Sequence, residues 1–406
     1  MTHETHRTGG TLSRRGFLRQ SAGLGASFAL AHAAVRGARA DNQIELGLVG
    51  CGTRGRWIAQ GFEAHGGYRI TAVADYFEEE ANAAGDALGV AENRRFSGLR
   101  GYERLLESGV GAVALETPPY CFPDHVEAAV DAGCHVFLAK PVAVDVPGTK
   151  RIEAAGQRAG ENGQVFLVDF QMPTHPYIQE AVRRVHDGAL EEIALVSSEY
   201  TDEGFRDPPL EDTIEGRLRN LVWVNDNNLG GGYFVNAGIH ALDAALWVIG
   251  RRPVRAMGAA RRDPHGDSDD GFSLTYEFEN GLVLNHRGEH IRNSHGFNCN
   301  VTVYGREAYM VTGYTGETAI HGQESARYEG GAAGDLYHDG AERNIAAFHQ
   351  AVLEGDTSNP TLAPSIASNY AAILGRDAII KGEPLTWDAM LAEEKALDVN
   401  LSEMRE

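Results

Sequence analysis

Three glycines in the run Gly50-Cys51-Gly52-Thr53-Arg54-Gly55, and an acid twenty residues beyond the last of them, Asp75, are the first residues whose types and spacing serve a definite chemistry. Gly50 suits a tight turn, Gly52 a backbone that a pyrophosphate can approach, and Gly55 a helix packed closely on its strand. The turn, with Thr53 and Arg54 in it, leads into a helix whose N-terminus offers unpaired N–H groups and a partial positive charge where a phosphate would sit. Asp75 can accept hydrogen bonds from the hydroxyls of an adenosine ribose. The pattern predicts a bound dinucleotide. Tyr76 and Phe77 follow the acid, with no Lys or Arg close by to pair a 2′-phosphate, so NAD is expected rather than NADP.

Positioning these groups takes a strand, Ile44 to Val49, a helix from about Arg56 to Ala64, and a second strand, Tyr68 to Ala74. From Gln43 to about Gln164 strands alternate with helices, the rhythm of a doubly wound parallel sheet. Two more strand ends face the same crevice: Val110 to Leu115 runs into Glu116-Thr117-Pro118-Pro119, and His135 to Leu138 runs into Ala139-Lys140-Pro141. Beyond Val165 the rhythm changes. A helix from about His175 to His186 precedes a strand, Ile193 to Tyr200, and a polar stretch, Thr201 to Asn220, reads as a loop. A further helix starts after Gly230-Gly231-Gly232 and stops at Gly250. Period-two alternation from Val254 to about Ile320, around an Asn280-Gly281 turn, predicts a mostly antiparallel sheet with one open face. Helices at about Ala341 to Leu353 and Ala363 to Ile380 close the chain. The expected architecture is α/β: a Rossmann domain over 41–164, an α+β domain over 165–390 and a tail over 391–406.

Residues 1–40 stand outside that fold. Ser13-Arg14-Arg15-Gly16-Phe17-Leu18-Arg19, a mild apolar run from Ala22 to Val35, and Ala38-Arg39-Ala40 have the layout of a twin-arginine signal segment. Its apolar run is too short to span a bilayer, so the mature chain is expected to be exported, to the periplasm in a bacterium with two membranes, with no membrane anchor. The formal charge of −21 disfavours nucleic acid and anionic lipid as partners. Cys51, Cys121, Cys134 and Cys299 show no paired spacing, and a disulfide framework is not expected. His286, His290 and His295 show no spacing that puts them on one face, and such strand or loop histidines are usually solvated or core residues, so no metal is expected.

Order and spacing together make the chain resemble the glucose-fructose oxidoreductase / inositol dehydrogenase / MocA superfamily over nearly all of its mature length. The pieces that carry the resemblance are Gly50 to Gly55, Asp75, Thr117-Pro118-Pro119, Lys140-Pro141, and Gly230-Gly-Gly-Tyr-Phe-Val-Asn-Ala-Gly-Ile-His-Ala-Leu-Asp243. It implies that Thr117 and Pro118 border the cofactor, and that Lys140 and His240 face the nicotinamide. Hydride transfer from a carbinol needs a base for the hydroxyl proton and a cation for the developing alkoxide. A histidine near neutral pKa suits the first role, and a partly desolvated lysine the second or a share of the proton, so His240 is expected to accept the proton and Lys140 to stabilise the alkoxide. Two positions depart from the family: Ala139 stands where a Glu is common, and Asn236, one helical turn before His240, where an Asp is common. Asn236 can still hydrogen-bond His240 or a substrate hydroxyl, but adds no charge to it. Asp243 is a candidate to orient His240, while Gln171, His175 and Tyr177 are candidates to meet substrate.

Together these residues imply an exported NAD-dependent oxidoreductase acting on a sugar, sugar derivative or cyclitol, with its cofactor retained and a homodimer or homotetramer formed through the open sheet face. Two alternatives stay open: a glycoside-cleaving enzyme that oxidises, eliminates and re-reduces, and a non-catalytic ligand-binding homologue.

Overall fold

The computed structural model describes residues 43–202, 213–262, 269–291, 293–402 and 404–406. The twin-arginine segment and much of the polar stretch after Thr201 lie outside the described residues. Strands β1 (Ile44–Val49), β2 (Tyr68–Asp75), β3 (Arg95–Ser97), β4 (Ala112–Leu115), β5 (His135–Leu138) and β6 (Phe166–Val168) form one sheet in the order β3-β2-β1-β4-β5-β6. Every pairing is parallel. The order reverses between β1 and β4, and the crevice at their C-terminal ends is where such sheets hold ligands. Leu46, Leu48, Ala112 and Val113 are fully buried, as strands covered on both faces require.

One covering layer comes from late in the sequence. Phe348 and Ile345, on the helix Leu336–Glu354, pack with Leu48, Phe62 and Phe137 of the first sheet and its first helix. Tyr68 Oη donates to the Ile345 carbonyl at 2.8 Å. Sheet one also extends past residue 164, because β6 is its edge strand.

The second sheet has nine strands: β7 (Leu195–Thr201), β8 (Arg255–Arg262), β9 (Asp269–Glu277), β10 (Val283–Glu289), β11 (Asn298–Tyr304), β12 (Ala308–Gly313), β13 (Glu317–Gly322), β14 (Tyr328–Ala332) and β15 (Leu385–Thr386), in the order β14-β13-β12-β11-β7-β10-β9-β8-β15. Its pairings are antiparallel except β7 with β10. On β10 burial alternates, with Leu284 and His286 inside, Asn285 and Arg287 outside. Helices cover the inner face, Pro176–His186 at β13 and β14 and two more across the rest. Ile239–Ile249 is buried almost throughout. Leu362–Lys381 bridges the two sheets: Tyr276 Oη donates to the Ala371 carbonyl at 2.9 Å, while Asn369 donates to the Ala143 carbonyl, just past β5, at 3.1 Å.

Candidate active site

The glycine turn connects β1 to the helix Thr53–His65. Gly50 has φ +95, and a Cβ there would stand 2.7 Å from the Glu116 carbonyl carbon, so only glycine fits beside the end of β4. At Gly55 a Cβ would fall 1.8 Å from the Gly50 carbonyl oxygen, which is why the helix can lie so close to its strand. Gly52 differs. Its φ of −65 suits any residue, and a Cβ would meet nothing within 4 Å. The protein's own packing gives no reason for glycine at that position; an approaching phosphate does. Gly55→Ala is therefore expected to destabilise the fold by about 3 kcal/mol through backbone overlap, and Gly52→Val to change stability by no more than about 1 kcal/mol while abolishing dinucleotide binding. Denaturant unfolding and calorimetric titration of the two variants separate these effects, and a Gly52→Val protein that binds as wild type does would overturn the assignment.

Asp75 closes the turn from β2. Its Oδ2 accepts from the Cys51 amide at 2.7 Å and its Oδ1 from the Phe77 amide at 2.9 Å. Burial raises its pKa and the two amides oppose that rise. Cys51 is buried, with its thiol pKa pushed well up by burial and then by Asp75, so it is no nucleophile. Asp75, Gly50, Gly52, Thr53, Arg54, Thr117 and Pro118 line one cleft. The Arg54 guanidinium is engaged elsewhere: it donates to Asp169 at 2.6 Å and to Tyr337 Oη at 2.7 Å, lies 3.5 Å from Glu116, and stacks 4.3 Å over Trp57. Glu116 is buried, and burial raises its pKa to about 7 against the pull of Arg54.

Lys140, after β5 and joined to Pro141 by a cis peptide, meets the second domain. Its Nζ donates to the Asn236 carbonyl at 2.7 Å. That carbonyl lies in a π turn, Phe234–Gly238, just before the helix Ile239–Ile249; such widened turns recur at functional sites. Burial, then the Arg54 charge, lowers the Lys140 pKa to about 8. The Asn236 side chain donates to the Gly230 carbonyl at 3.3 Å, satisfying a buried acceptor of the glycine turn.

His240 has a different partner. Its Nδ1 lies 3.2 Å from Tyr314 Oη, on the turn after β12. Tyr314 gives its proton to Gln171 Oε1 at 2.7 Å, and the Gln171 amide is oriented by donating to Asp169 Oδ2 at 2.9 Å. Asp169 also accepts from Asn344 at 2.8 Å. With its only proton committed, Tyr314 can serve His240 only as an acceptor, so Nδ1 carries the imidazole proton and Nε2 keeps its lone pair. Burial, then the charges of Lys140 and Arg54, hold the His240 pKa well below its ordinary value. Its ring stacks on Tyr200 at 6.0 Å between centroids.

The remaining candidates sit differently. Asp243 accepts from Ser368 at 2.6 Å, tying its helix to Leu362–Lys381. His175 caps the helix Pro176–His186, and Tyr177, 42% exposed, covers Gly330 and Gly331 of β14. Among the described residues no group of three His, Cys, Asp or Glu could hold a metal. Asp169 and Glu116 can be found in sequence as strand-end residues at the crevice; Tyr314 has no local signal.

A dinucleotide cleft at the switch point of a parallel sheet, a partly buried lysine at the end of β5, and a buried, neutral histidine on the second, α+β domain together define a nicotinamide-dependent oxidoreductase. The chain belongs to the GFO/IDH/MocA family: residues 44–170 match the family model described as "Oxidoreductase family, NAD-binding Rossmann fold" and residues 178–311 the "GFO/IDH/MocA C-terminal domain". Relatives include an inositol 2-dehydrogenase of Rhizobium meliloti, 23% identical over 83% of this chain and 96% of that enzyme. A scyllo-inositol 2-dehydrogenase (NAD(+)) of Bacillus subtilis is 22% identical over 87% of this chain and 98% of its own. The fold also matches a levoglucosan dehydrogenase solved with NADH and levoglucosan, with a TM-score of 0.69 at 17% identity, covering 85% of this chain and 99% of that one.

Proposed function

We propose that this protein oxidises or reduces a carbinol carbon of a sugar, sugar derivative or cyclitol using a retained NAD, with Lys140 moving the proton. The observation that carries the reading is the Lys140 side chain, partly buried and held on the Asn236 carbonyl at 2.7 Å, with its pKa lowered to about 8. The backbone of Gly52, Thr53 and Arg54 would hold the pyrophosphate, Asp75 the adenosine ribose, and Thr117 and Pro118 the middle of the dinucleotide. The bound nicotinamide supplies hydride acceptance or donation.

Relative to the expectation from sequence, the proton passes to Lys140 and His240 keeps a hydrogen-bonding role. A proton on His240 would make a buried imidazolium beside Lys140 and Arg54, with a neutral Tyr314 at Nδ1 in place of a carboxylate. Lys140 meets a penalty of the same kind but starts from a higher basicity: burial and Arg54 lower it only to about 8, so it is neutral in part near that pH and still the stronger base of the two. In oxidation, neutral Lys140 takes the hydroxyl proton and is left as the cation facing the carbonyl product, while His240 Nε2 accepts a hydrogen bond from substrate. Gln171 acts on this step through Tyr314. The reverse direction needs the ammonium form. Oxidation should accordingly rise as pH passes through about 8, and reduction should fall across the same interval.

Cyclitol and sugar relatives support the substrate class. The Arg14-Arg15 pattern supports export of a folded, cofactor-loaded protein, and the outward face of sheet two supports a homodimer or homotetramer. The test is to purify the protein, identify bound nicotinamide by absorbance and mass spectrometry, and compare aldehyde-dependent oxidation of a polyol panel with release from aryl glycosides. Glycoside release without net change in nicotinamide would replace the dehydrogenase reading by the redox-cycling glycosidase, and bound NAD with no turnover on either panel would favour a ligand-binding role.

A further inference from the structure

The adenosine end of the cleft is built from parts that no other observation assigns to the cofactor. Beyond Asp75, the cleft is lined on the first domain by Phe77 and Leu99, and on its other walls by Leu401 and Met404 from the last described segment and by Leu218 and Arg219 from the second domain. The last segment is tied down at several points along its course. Leu397 N donates to Asp145 at 2.8 Å and Val399 N to Tyr120 Oη at 3.3 Å, with Val399 itself buried. Farther on, the Leu99 amide donates to the Arg405 carbonyl at 3.0 Å. Arg405 in turn donates from its amide to Tyr76 Oη at 3.2 Å and from its guanidinium to the Tyr76 carbonyl at 3.0 Å. Gly98, at φ +86, has room for no Cβ, which would lie 2.3 Å from the Glu406 carbonyl. On the facing wall the Arg219 guanidinium sits 3.9 Å over the Phe77 ring and 2.8 Å from Glu79.

We propose that residues 397–402 and 404–406 form the outer wall of an adenine subsite, with Leu401 and Met404 against the base, and that this strap holds the dinucleotide in place between turnovers. The inference rests on the NAD reading above. A neutral, flat heteroaromatic base suits walls of Leu and Met, whose side chains exclude water without demanding hydrogen bonds. The strap bonds to the loops that follow β2 and β3, Tyr76 and Leu99, which flank the position of a base attached to a ribose on Asp75. To leave, a dinucleotide seated there has to part the Arg405 contacts with Tyr76 and Leu99, or displace the Arg219 wall. Slow exchange is the consequence.

Two variants test it: deletion of residues 400–406, and the pair Leu401→Ser with Met404→Ser, which keeps the Arg405 anchors. Each is loaded with NAD and chased with excess etheno-NAD, and exchange is followed by fluorescence; NMN, which lacks the adenosine half, is titrated in parallel. The expected result is exchange faster by about tenfold or more in both variants, since lost contacts show mainly in the off-rate, with NMN affinity within about twofold of wild type. Exchange rates equal to wild type in the Ser pair, when wild type binds NAD, overturn the strap and leave the NAD reading standing. A wild type that binds neither NAD nor NADH overturns both. Equal weakening of NMN and NAD would show damage to the whole cleft and also overturns an adenine-specific wall.

Discussion

Replacing Lys140 by Met is expected to lower polyol oxidation by about 10²–10⁴-fold, the usual contribution of a positioned proton acceptor, while NAD stays bound. Met keeps the length of the side chain in the buried gap between the two domains and removes only the nitrogen, so the fold should tolerate it. The donation from Nζ to the Asn236 carbonyl at 2.7 Å disappears, and a carbonyl left without that donor costs about 1–3 kcal/mol of stability at most. A second substitution decides between roles. Lys140→Arg retains a cation for the alkoxide and cannot give up its proton near neutral pH. If Lys140 is the acceptor, Arg should be nearly as inactive as Met, and the rise in rate through about pH 8 should vanish in both. If Lys140 only stabilises charge, Arg should keep much of the activity. Turnover and pH profiles on one oxidised polyol, measured with NAD occupancy verified, distinguish the outcomes; a Met variant within tenfold of wild type removes the lysine from the chemistry.

The parts of this site that are legible in sequence are the local ones. Gly50, Gly52, Gly55 and Asp75 fall within one βαβ unit, where each residue's task follows from its place in the unit, and the structure gives Gly55 and Gly52 opposite surroundings, crowded and open. Long-range partners are not legible. Arg54 reads in sequence as part of the phosphate turn, yet its guanidinium goes to Asp169, 115 residues on, and to Tyr337, 283 residues on. Hydrophobic periodicity predicts that a helix near residue 341 exists, and cannot say that it will cover sheet one instead of sheet two. Asn344 reaches Asp169 only because it does. Gly340 allows that approach, since a Cβ there would stand 2.5 Å from Gln171 Cβ. β14, with its Gly330-Gly331 pair, and the two-residue β15 carry no alternation to detect. For the same reason the tail reads in sequence as a detached end, although its backbone is bonded to loops of the first domain.

Asn236 shows how such long-range packing changes a chemical inference. Spacing of four residues along a helix predicts that it faces His240. Its amide is instead drawn to the Gly230 carbonyl, and its own carbonyl takes the Lys140 ammonium. His240 then gets its orientation from Tyr314, a residue from another strand turn 74 positions away. The link runs on through Gln171 and Asp169 to Arg54. The phosphate turn and the imidazole are thereby joined by a continuous chain of hydrogen bonds.

The Tyr314 hydroxyl, then, should matter through the tautomer it enforces. Tyr314→Phe keeps the ring, which is buried and packs edge-on to His240 with centroids 5.4 Å apart, and deletes only the oxygen between Nδ1 and Gln171. Without an acceptor at Nδ1, the imidazole proton is free to move to Nε2, and the nitrogen that accepts from a second substrate hydroxyl, beside the one that gives its proton to Lys140, is then blocked in a large share of molecules. His240→Ala removes that acceptor altogether and is expected to cost about 10²-fold in kcat/KM. Tyr314→Phe should cost about tenfold, the equivalent of one buried hydrogen bond, and with NAD affinity unchanged. Because His240 is held neutral by burial, Lys140 and Arg54, neither variant should create or remove a titration near pH 6.5; only the rise near pH 8 belongs to the reaction, and it should survive Tyr314→Phe. Nitrogen-15 shifts of the imidazole report the tautomer directly, with Nδ1 protonated in wild type and a mixture in the Phe variant. Full turnover by Tyr314→Phe with Nδ1 still protonated would mean that some other group orients His240.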